Sequence, residues 1–201
     1  MSAPSLTAAD EAATPLTPDE RAGLIPAYIT FRHELNGAEQ ANIAKAQAAL
    51  FGRRRQRDPV KLIDEDFIRR AHKLMFRDVW AWAGQYRRSD RNVGVAWVRI
   101  PVELRMFLDD VRAWVSHNAY PRDELAARFH HRLVWIHPFP NGNGRLSRMM
   151  ADLLVTAMGD ERFTWGRASL ADPSETRRRY VAALRQADAH VVTDLLAFIR
   201  S

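Results

Sequence analysis

The sequence predicts an all-α, mainly helical fold with one small β-hairpin. Apolar residues recur at spacings of three and four along most of the 201 residues, which is the period of an amphipathic helix. Proline, glycine and asparagine interrupt this pattern often enough to divide it into separate helices that can pack as a bundle. The stretch 85–100 is the exception, because Val93, Val95 and Trp97 alternate around Gly94 and favour two short extended arms.

The composition indicates one globular domain with a sizeable core, since 47% of the 201 residues are hydrophobic. Cysteine is absent, which excludes disulfides, thiolate metal sites and cysteine nucleophiles and favours a reducing, cytoplasmic compartment. The N-terminus lacks the basic-then-apolar order of a signal peptide, and no apolar run approaches the roughly 18 residues of a membrane span. We therefore expect a soluble protein without a membrane partner and leave its oligomeric state open.

Arginine carries most of the formal net charge of +6 and forms two clusters, around residues 53–57 and 177–179. Such clusters can steer anionic partners, including nucleotides and nucleic acid. A solvated basic surface is the simpler interpretation, so nucleic acid is not an expected partner.

Three parts are predicted along the chain: a disordered or extended tail at 1–15, N-terminal helices at 16–52 and a core domain at 53–201. The segment Thr17–Glu20 combines a hydroxyl cap, a proline at the first helical position and a glutamate three residues after the cap, which is typical of a helix start. The pair Asn36-Gly37 favours a turn and is expected to end this helical part, with a new helix from 38 to 51.

Caps and prolines mark the remaining helices. Helices are expected from the cap Asp64 towards Gly84, after Pro101, after Pro121, from 173 to 187 and from 191 to 199. The start at 173 repeats the order of cap, proline and glutamate in Asp172–Glu175. The predicted hairpin lies between the first and second helices of this set.

One run of residues, His137–Arg148, lies between two strongly apolar helix patterns and carries the candidate chemistry. Pro138 cannot continue a helix, so a turn must follow the histidine. Gly142 and Gly144 permit backbone angles closed to other residues and let successive N–H groups point into one concavity, which attracts anions. The next helix adds the positive end of its dipole, so phosphate is the expected ligand.

Two arginines and a histidine complete this candidate site. Arg145 and Arg148 are three residues apart on one helical face, where two guanidinium groups can bind separate oxygens of a polyphosphate. The imidazole of His137 is suited to accept a proton near neutral pH. A base beside a polyphosphate site indicates group transfer to a hydroxyl.

These residues resemble the signature of Fic-domain proteins, His-Pro-Phe-x-(Asp/Glu)-Gly-Asn-Gly-Arg-x-x-Arg, at every fixed position except Asn141. The resemblance implies a Fic-type helical bundle and a protein adenylyltransferase, which moves AMP from ATP to a Ser, Thr or Tyr hydroxyl of a target protein. It implies that His137 is the catalytic base. It also implies that nucleotide phosphates are bound by Asn141, Gly142, Asn143, Gly144, Arg145 and Arg148. Two alternatives stay open: transfer of a different nucleotide or phosphate-containing group, and a nucleotide-binding regulatory module without turnover.

Asn141 stands where the family has an acidic residue that binds Mg²⁺ between the phosphates. An amide oxygen can still bind Mg²⁺, but it brings no charge, and hard cations favour carboxylates and water. The resemblance therefore implies ATP as substrate and Mg²⁺ at Asn141 with reduced affinity. A zinc site at His130, His131 and His137 is not expected, because adjacent residues face different sides of a helix.

A second resemblance concerns the segment Thr30–Asn36. Many Fic proteins hold a self-inhibitory helix with the pattern (Ser/Thr)-x-x-x-Glu-(Gly/Asn), whose glutamate pairs with the second arginine of the signature. Thr30 and Glu34 have that spacing, although Leu35 occupies the Gly/Asn position. The resemblance implies that Glu34 inhibits the enzyme by pairing with Arg148, and Glu39 is the competing glutamate.

The segment Trp82–Arg87 resembles the sequence that precedes the hairpin flap of Fic proteins. By this resemblance a target protein docks on the flap, near residues 88–100, through main-chain pairing. The signature loop and the surroundings of Glu34 also look similar to a bacterial Fic subgroup called mobile mystery protein B. Because members of that subgroup are encoded beside a small helix-turn-helix protein, such a protein is a possible partner.

Overall fold

The computed structural model describes residues 23–52, 58–167 and 173–201. The predicted tail 1–15, the helix start Thr17–Glu20, the arginine cluster at 53–57 and the cap Asp172 lie outside the described residues. The predicted division at residues 15 and 52 stays a prediction.

The described residues form an all-α fold, as predicted. The α-helices are α1 (Arg32–Phe51), α2 (Glu65–Phe76), α3 (Ile100–Ser116), α4 (Arg122–Ile136), α5 (Asn143–Ala157), α6 (Pro173–Asp188) and α7 (Thr193–Ile199). Short 3-10 helices occupy Pro59–Leu62 and Trp97–Arg99. Within the described ranges no helix is long and apolar enough to cross a lipid bilayer.

The described residues fall into two compact units. One contains residues 23–52 and 69–85, and the other contains residues 58–68 and the described part of 86–201. The candidate loop His137–Arg148 belongs to the second unit, whereas Glu34 belongs to the first.

In the first unit, helix α1 differs from its prediction. It begins at Arg32 and continues through Asn36-Gly37 to Phe51, so the predicted turn at Asn36-Gly37 is wrong. A glycine inside a helix costs only about 1 kcal/mol relative to alanine. Burial of Leu35, Ala46 and Leu50 along one face of α1 outweighs that cost.

Helix α2 starts as predicted, because the Asp64 carboxylate accepts a hydrogen bond from the N–H of Phe67 at 2.8 Å. It ends at Phe76, eight residues before the predicted end at Gly84. The side chain of Asn42 explains the early end. It donates to the carbonyl of Leu74 at 3.2 Å and accepts from the N–H of Asp78 at 2.9 Å, and these two groups would otherwise bond to each other within the helix.

In the second unit, helices α4 and α5 pack against each other, and α7 packs against α4 and α6. Ala126, Ala127 and Ala151 are fully buried, and their small side chains let the helices approach closely. They belong to one apolar cluster that also contains residues of α5, α6, α7 and the loop that follows α5. Its other members are Val155, Phe163, Trp165, Ala183, Ala187, Leu195, Phe198 and Ile199. This cluster holds the N-terminal half of α4 against the C-terminal half of α5, away from the helix ends that the candidate loop connects.

The predicted β-hairpin is absent: residues 85–96 form bends without strands, followed by the 3-10 helix Trp97–Arg99. The reason is the buried side chain of Arg87. Its Nη1 donates to the carbonyl of Ser89 at 2.9 Å and its Nη2 donates to the carbonyl of Val95. Two carbonyls that a hairpin would pair with main-chain N–H groups are therefore bound to a guanidinium.

Candidate active site

His137 is the residue that ends helix α4. It adopts left-handed backbone angles, φ 54° and ψ 58°, which are uncommon for residues other than glycine. Its N–H still donates to the carbonyl of Leu133 at 3.2 Å. The left-handed residue turns the chain sharply after the last helical turn, and its half-buried side chain stands at the start of the following loop.

Arg87 holds the backbone of His137 in this conformation. Its Nε donates to the carbonyl of His137 at 2.7 Å, and its main-chain N–H donates to the carbonyl of Pro138 at 3.0 Å. The Arg87 side chain is 2% exposed. One buried guanidinium thus connects the bends after residue 87 to the catalytic candidate.

The imidazole of His137 is poised to act as a base. Burial lowers its pKa, the nearby charges of Arg87 and Arg91 lower it further, and the carbonyl of Val134 opposes the shift. Nδ1 lies 3.3 Å from the carbonyl of Val134, which can only accept. We therefore assign the proton to Nδ1, which leaves Nε2 free to accept a proton at neutral pH.

Asn143 closes the loop after His137. Its side-chain oxygen accepts from the N–H of Phe139 at 2.9 Å, and its side-chain nitrogen donates to the carbonyl of Phe139 at 2.8 Å. Ser147 donates its hydroxyl to the carbonyl of Asn143 at 2.6 Å. Asn143 is 2% exposed, and its side chain is used by the loop backbone, so a role of Asn143 in phosphate binding through its main-chain N–H stays a prediction.

Helix α5 begins directly after Gly142, whose φ of 79° requires the absence of a side chain. The first N–H groups of an α-helix have no acceptor within the helix and lie at the positive end of its dipole. A Cβ atom at Gly144 would lie 3.8 Å from its nearest neighbour, the Tyr180 hydroxyl, so the helix start is not crowded by side chains. Anion binding at this helix start stays a prediction.

Arg145 and Arg148 lie in the first two turns of α5, and both side chains are half-buried. The guanidinium carbon of Arg148 lies 4.7 Å from the ring centroid of Tyr180. Among the described residues, the buried Nε of Arg148 has no hydrogen-bond partner. A buried donor without an acceptor is costly, and an oxygen of a bound phosphate would satisfy it.

Asn141 does not form the acidic site that a protein-bound Mg²⁺ favours. Its side-chain oxygen already accepts from the N–H of Gly142 at 2.6 Å, and the segment 137–148 contains neither aspartate nor glutamate. Over the part of the chain that the structure describes, no three His, Cys, Asp or Glu side chains are grouped to hold a metal ion. The residues present therefore do not fit a resident Mg²⁺.

The two inhibitory candidates have different environments. Glu34 lies in the first turn of α1, where its Oε2 accepts from the N–H groups of Thr30 and Phe31 at 2.8 and 3.0 Å. These hydrogen bonds lower the pKa of Glu34. Glu39 is buried, and its Oε1 accepts from the indole nitrogen of Trp80 at 2.7 Å. Both carboxylates thus accept hydrogen bonds from residues of their own unit, and the choice between Glu34 and Glu39 stays a prediction.

The predicted docking region near 88–100 is accessible although it forms no strand. Val93, Trp97 and Val98 are 57%, 42% and 62% exposed. The roles of Arg87 and Gly94 in this region, and of Tyr180 in α6, are not apparent from the sequence. The packing of Gly94 against His137 and the contact of Tyr180 with Arg148 appear only in three dimensions.

The second unit is a helical assembly in which a histidine-ended helix, a glycine-containing loop and an arginine-bearing helix follow one another. Residues 62–155 match the model of the Fic/DOC family. This match is to the family that the signature predicts. The comparison does not distinguish the mobile mystery protein B subgroup, which stays a prediction.

Curated relatives carry adenylyltransferase names. The "Protein adenylyltransferase Fic" of Aedes aegypti is 33% identical over 79 residues, 38% of this chain and 16% of that protein. The "Protein adenylyltransferase fic-1" of Caenorhabditis elegans is 31% identical over 121 residues, 59% of this chain and 22% of that protein. The matches span only about a fifth of the length of these relatives.

Solved structures support the fold. The N-terminal FIC domain of Bep8 from Bartonella sp. 1-1C has a TM-score of 0.68 at 18% identity, covering 90% of this chain and 95% of that one. BepC from Bartonella tribocorum, a structure with bound AMPPNP, has a TM-score of 0.64 at 16% identity, covering the same shares of the two chains. At these identities the likeness establishes the fold alone.

Proposed function

We propose that the protein is a protein adenylyltransferase that transfers AMP from ATP to a Ser, Thr or Tyr hydroxyl of a target protein. The names of the relatives and the family match support this activity. The structural observation that carries it is the arrangement around one loop. A neutral imidazole ends α4, and α5 begins at a glycine-containing turn and carries a buried donor of Arg148 that has no partner among the described residues.

In the reaction, Nε2 of His137 takes the proton of the target hydroxyl while the hydroxyl oxygen attacks the α-phosphorus of ATP. A phosphorus–oxygen bond forms to the target, and the bond between the α-phosphorus and the bridging oxygen breaks, releasing pyrophosphate. Negative charge on the phosphates is stabilised by the N–H groups at the start of α5 and by Arg145 and Arg148. The proton on His137 is released to solvent after the product leaves.

The Asn141 environment favours a second candidate, a nucleotide-binding module without turnover. Its amide oxygen is bound to Gly142, and no carboxylate in the loop supports a metal between the phosphates. Such a module would bind ATP with the same affinity in the presence and absence of Mg²⁺ and would label no protein.

We also propose that Glu34 inhibits the enzyme, on the basis of its spacing from Thr30 and its position at the start of α1. The inhibitory carboxylate would compete with a terminal phosphate oxygen for Arg148. A target protein would dock on the exposed residues near 88–100, and a helix-turn-helix protein is a further candidate partner.

One experiment tests the activity and the inhibition together. Wild-type protein and Glu34→Gly are incubated separately with α-labelled ATP, GTP, UTP and CTP, with and without Mg²⁺, and label on protein is measured. We expect label from ATP, and at least ten-fold more label with Glu34→Gly. Mass spectrometry then identifies the modified hydroxyl, and Glu34→Gln separates the charge from the backbone effect of glycine.

Each outcome of this experiment is decisive. Label from another nucleotide but not from ATP would replace the donor, and no label from any nucleotide would refute the transferase. Equal labelling by wild-type protein and Glu34→Gly would refute the inhibitory role of Glu34.

Gly94 provides a test of how closely His137 is held. A Cβ atom at Gly94 would lie 2.5 Å from the Cβ of His137 and 2.9 Å from Nη2 of Arg87, and the φ of Gly94 is +96°. We expect Gly94→Ala to lower the free energy of unfolding by roughly 1–3 kcal/mol. Displacement of His137 should also lower the transfer rate by about ten-fold or more. Urea denaturation and the labelling assay measure the two effects.

The matched control is Gly37→Ala in α1, where an added Cβ would have no described atom within 4 Å. This variant should gain roughly 0.5–1 kcal/mol of stability, as expected for alanine in place of glycine in a helix. If Gly94→Ala is as stable and as active as wild-type protein, the close packing of Gly94 on His137 does not matter.

A further inference from the structure

Tyr180 of helix α6 lies beside the candidate phosphate site, although it is 32 residues beyond Arg148 in the sequence. Its ring lies under the Arg148 guanidinium, 4.7 Å from centroid to carbon. Its hydroxyl is the nearest atom to a Cβ placed on Gly144, at 3.8 Å. One side chain of α6 therefore contacts an arginine of the signature and lies beside the start of helix α5.

His130 of helix α4 holds the hydroxyl of Tyr180. Its Nε2 lies 3.0 Å from the Tyr180 oxygen, and the imidazole is 0% exposed. The ring of Trp165 covers His130 at a centroid distance of 4.6 Å, and the ring of Phe198 lies 5.5 Å from that of Tyr180. Both partners of the hydrogen bond are therefore fixed by the apolar cluster of the second unit.

The charge states of His130 and Tyr180 allow these side chains to support the guanidinium cation of Arg148. Burial and the charge of Arg148 lower the pKa of His130 to about 3, so the imidazole is neutral at neutral pH and does not repel the guanidinium. Burial raises the pKa of Tyr180, so its hydroxyl keeps its proton. The hydroxyl can donate that proton to Nε2 of His130, which leaves its oxygen lone pairs to accept from Arg148.

Arg148 needs such a support because its side chain is long and flexible. Holding a guanidinium in one rotamer reduces the conformational entropy that is lost when it binds a ligand. Neither Tyr180 nor His130 uses the Arg148 Nε, which is buried without a partner among the described residues. Tyr180 and His130 thus fix the planar guanidinium of Arg148 and leave its Nε–H to donate to an oxygen of the ligand.

We propose that Tyr180, held by His130, is a positioning residue that orients Arg148 towards the phosphates of the nucleotide. This inference rests on the proposed nucleotide-binding function and makes helix α6 part of the site. It predicts that the hydroxyl of Tyr180 contributes to ATP affinity only through Arg148.

A double-mutant cycle tests the inference by calorimetric titration with ATP and with AMP. Tyr180→Phe keeps the ring under Arg148 and removes the hydroxyl. We expect it to weaken ATP binding by about 3- to 10-fold, the effect of one hydrogen bond, and to weaken AMP binding less. In an Arg148→Ala background the same substitution should leave ATP affinity unchanged, whereas a merely structural role of Tyr180 would lower it in both backgrounds.

The control is Tyr120→Phe, because the guanidinium of Arg128 lies over the ring of Tyr120 in the same way, at 4.5 Å. Tyr120 lies outside the candidate loop, so this variant should bind ATP like wild-type protein. The positioning role of Tyr180 would be refuted if Tyr180→Phe changed ATP affinity equally in wild-type protein and in Arg148→Ala, or changed it in neither. Neither result would contradict the proposed transferase activity, provided that wild-type protein transfers label from the nucleotide to protein.

A measurement on the protein without nucleotide distinguishes the positioning role of Tyr180 from the proposed nucleotide-binding function. In ¹⁵N NMR spectra the buried Nε–H of Arg148 should exchange slowly with water in wild-type protein and clearly faster in Tyr180→Phe. If wild-type protein binds no ATP, the proposed function fails, and the phosphate-orienting role fails with it. An unchanged exchange rate would show that Tyr180 does not hold Arg148 at all.

Discussion

His137→Ala should lower nucleotide transfer by about 10²–10⁴-fold, the usual contribution of a general base. The reason is geometric as well as chemical. The left-handed backbone of His137 and the hydrogen bond from Arg87 to its carbonyl place its side chain at the start of the loop. Initial rates with α-labelled ATP measure the loss, and calorimetric titration should show that ATP still binds, because the phosphate-binding groups remain.

The control for this prediction is His117→Ala, since His117 is an exposed histidine at the end of α3. The pH dependence gives a second criterion. Because burial and nearby arginines lower the pKa of His137, the base stays deprotonated below pH ~6.5, the ordinary value for histidine. The rate should therefore begin to fall only at lower pH. Undiminished transfer by His137→Ala would remove this residue from the mechanism.

Most helix positions were predictable because their signals are local. The cap Asp64, the proline at the start of α3 and the proline before α4 act on neighbouring backbone groups, and all three mark helix starts in the structure. The errors arose where a distant residue decides. Helix α2 ends early because Asn42, more than 30 positions away, takes the hydrogen bonds that would continue it.

The signature loop could also be identified from sequence, because Gly142, Gly144, Arg145 and Arg148 are close together along the chain. The residues that hold the loop in place could not be identified from the sequence. The predicted hairpin is wrong because Arg87 takes up carbonyl groups at Ser89 and Val95, a use of arginine that alternation of apolar residues does not reveal.

The contact of His130 with Tyr180 joins residues 50 positions apart, so no spacing rule predicts it. From the sequence, His130 drew attention only as a possible metal ligand beside His131. In the structure these two histidines face different partners, Tyr180 and Asp188. A buried neutral histidine is recognised by its surroundings, which only the packing of α4 against α6 and α7 defines.

Arg87→Met should cause the largest loss of stability among the substitutions considered. The guanidinium donates to the carbonyls of His137, Ser89 and Val95, and methionine fills similar volume without any donor. A buried polar group that loses its partner costs about 1–3 kcal/mol, so we expect a loss of roughly 3 kcal/mol or more in the free energy of unfolding. Urea denaturation followed by tryptophan fluorescence measures it.

Arg88→Met is the matched control, because Arg88 is the exposed neighbour of Arg87 and should change stability by less than about 0.5 kcal/mol. Arg87→Lys separates charge from geometry. The ammonium group of lysine keeps the charge but carries all of its donors on one nitrogen. It therefore cannot reach three carbonyls arranged around a planar guanidinium. We expect Arg87→Lys to fold and to lose transfer activity by about ten-fold or more, since the carbonyl of His137 is then less firmly held. Wild-type stability of Arg87→Met, or wild-type activity of Arg87→Lys, would show that the backbone of His137 needs no such support.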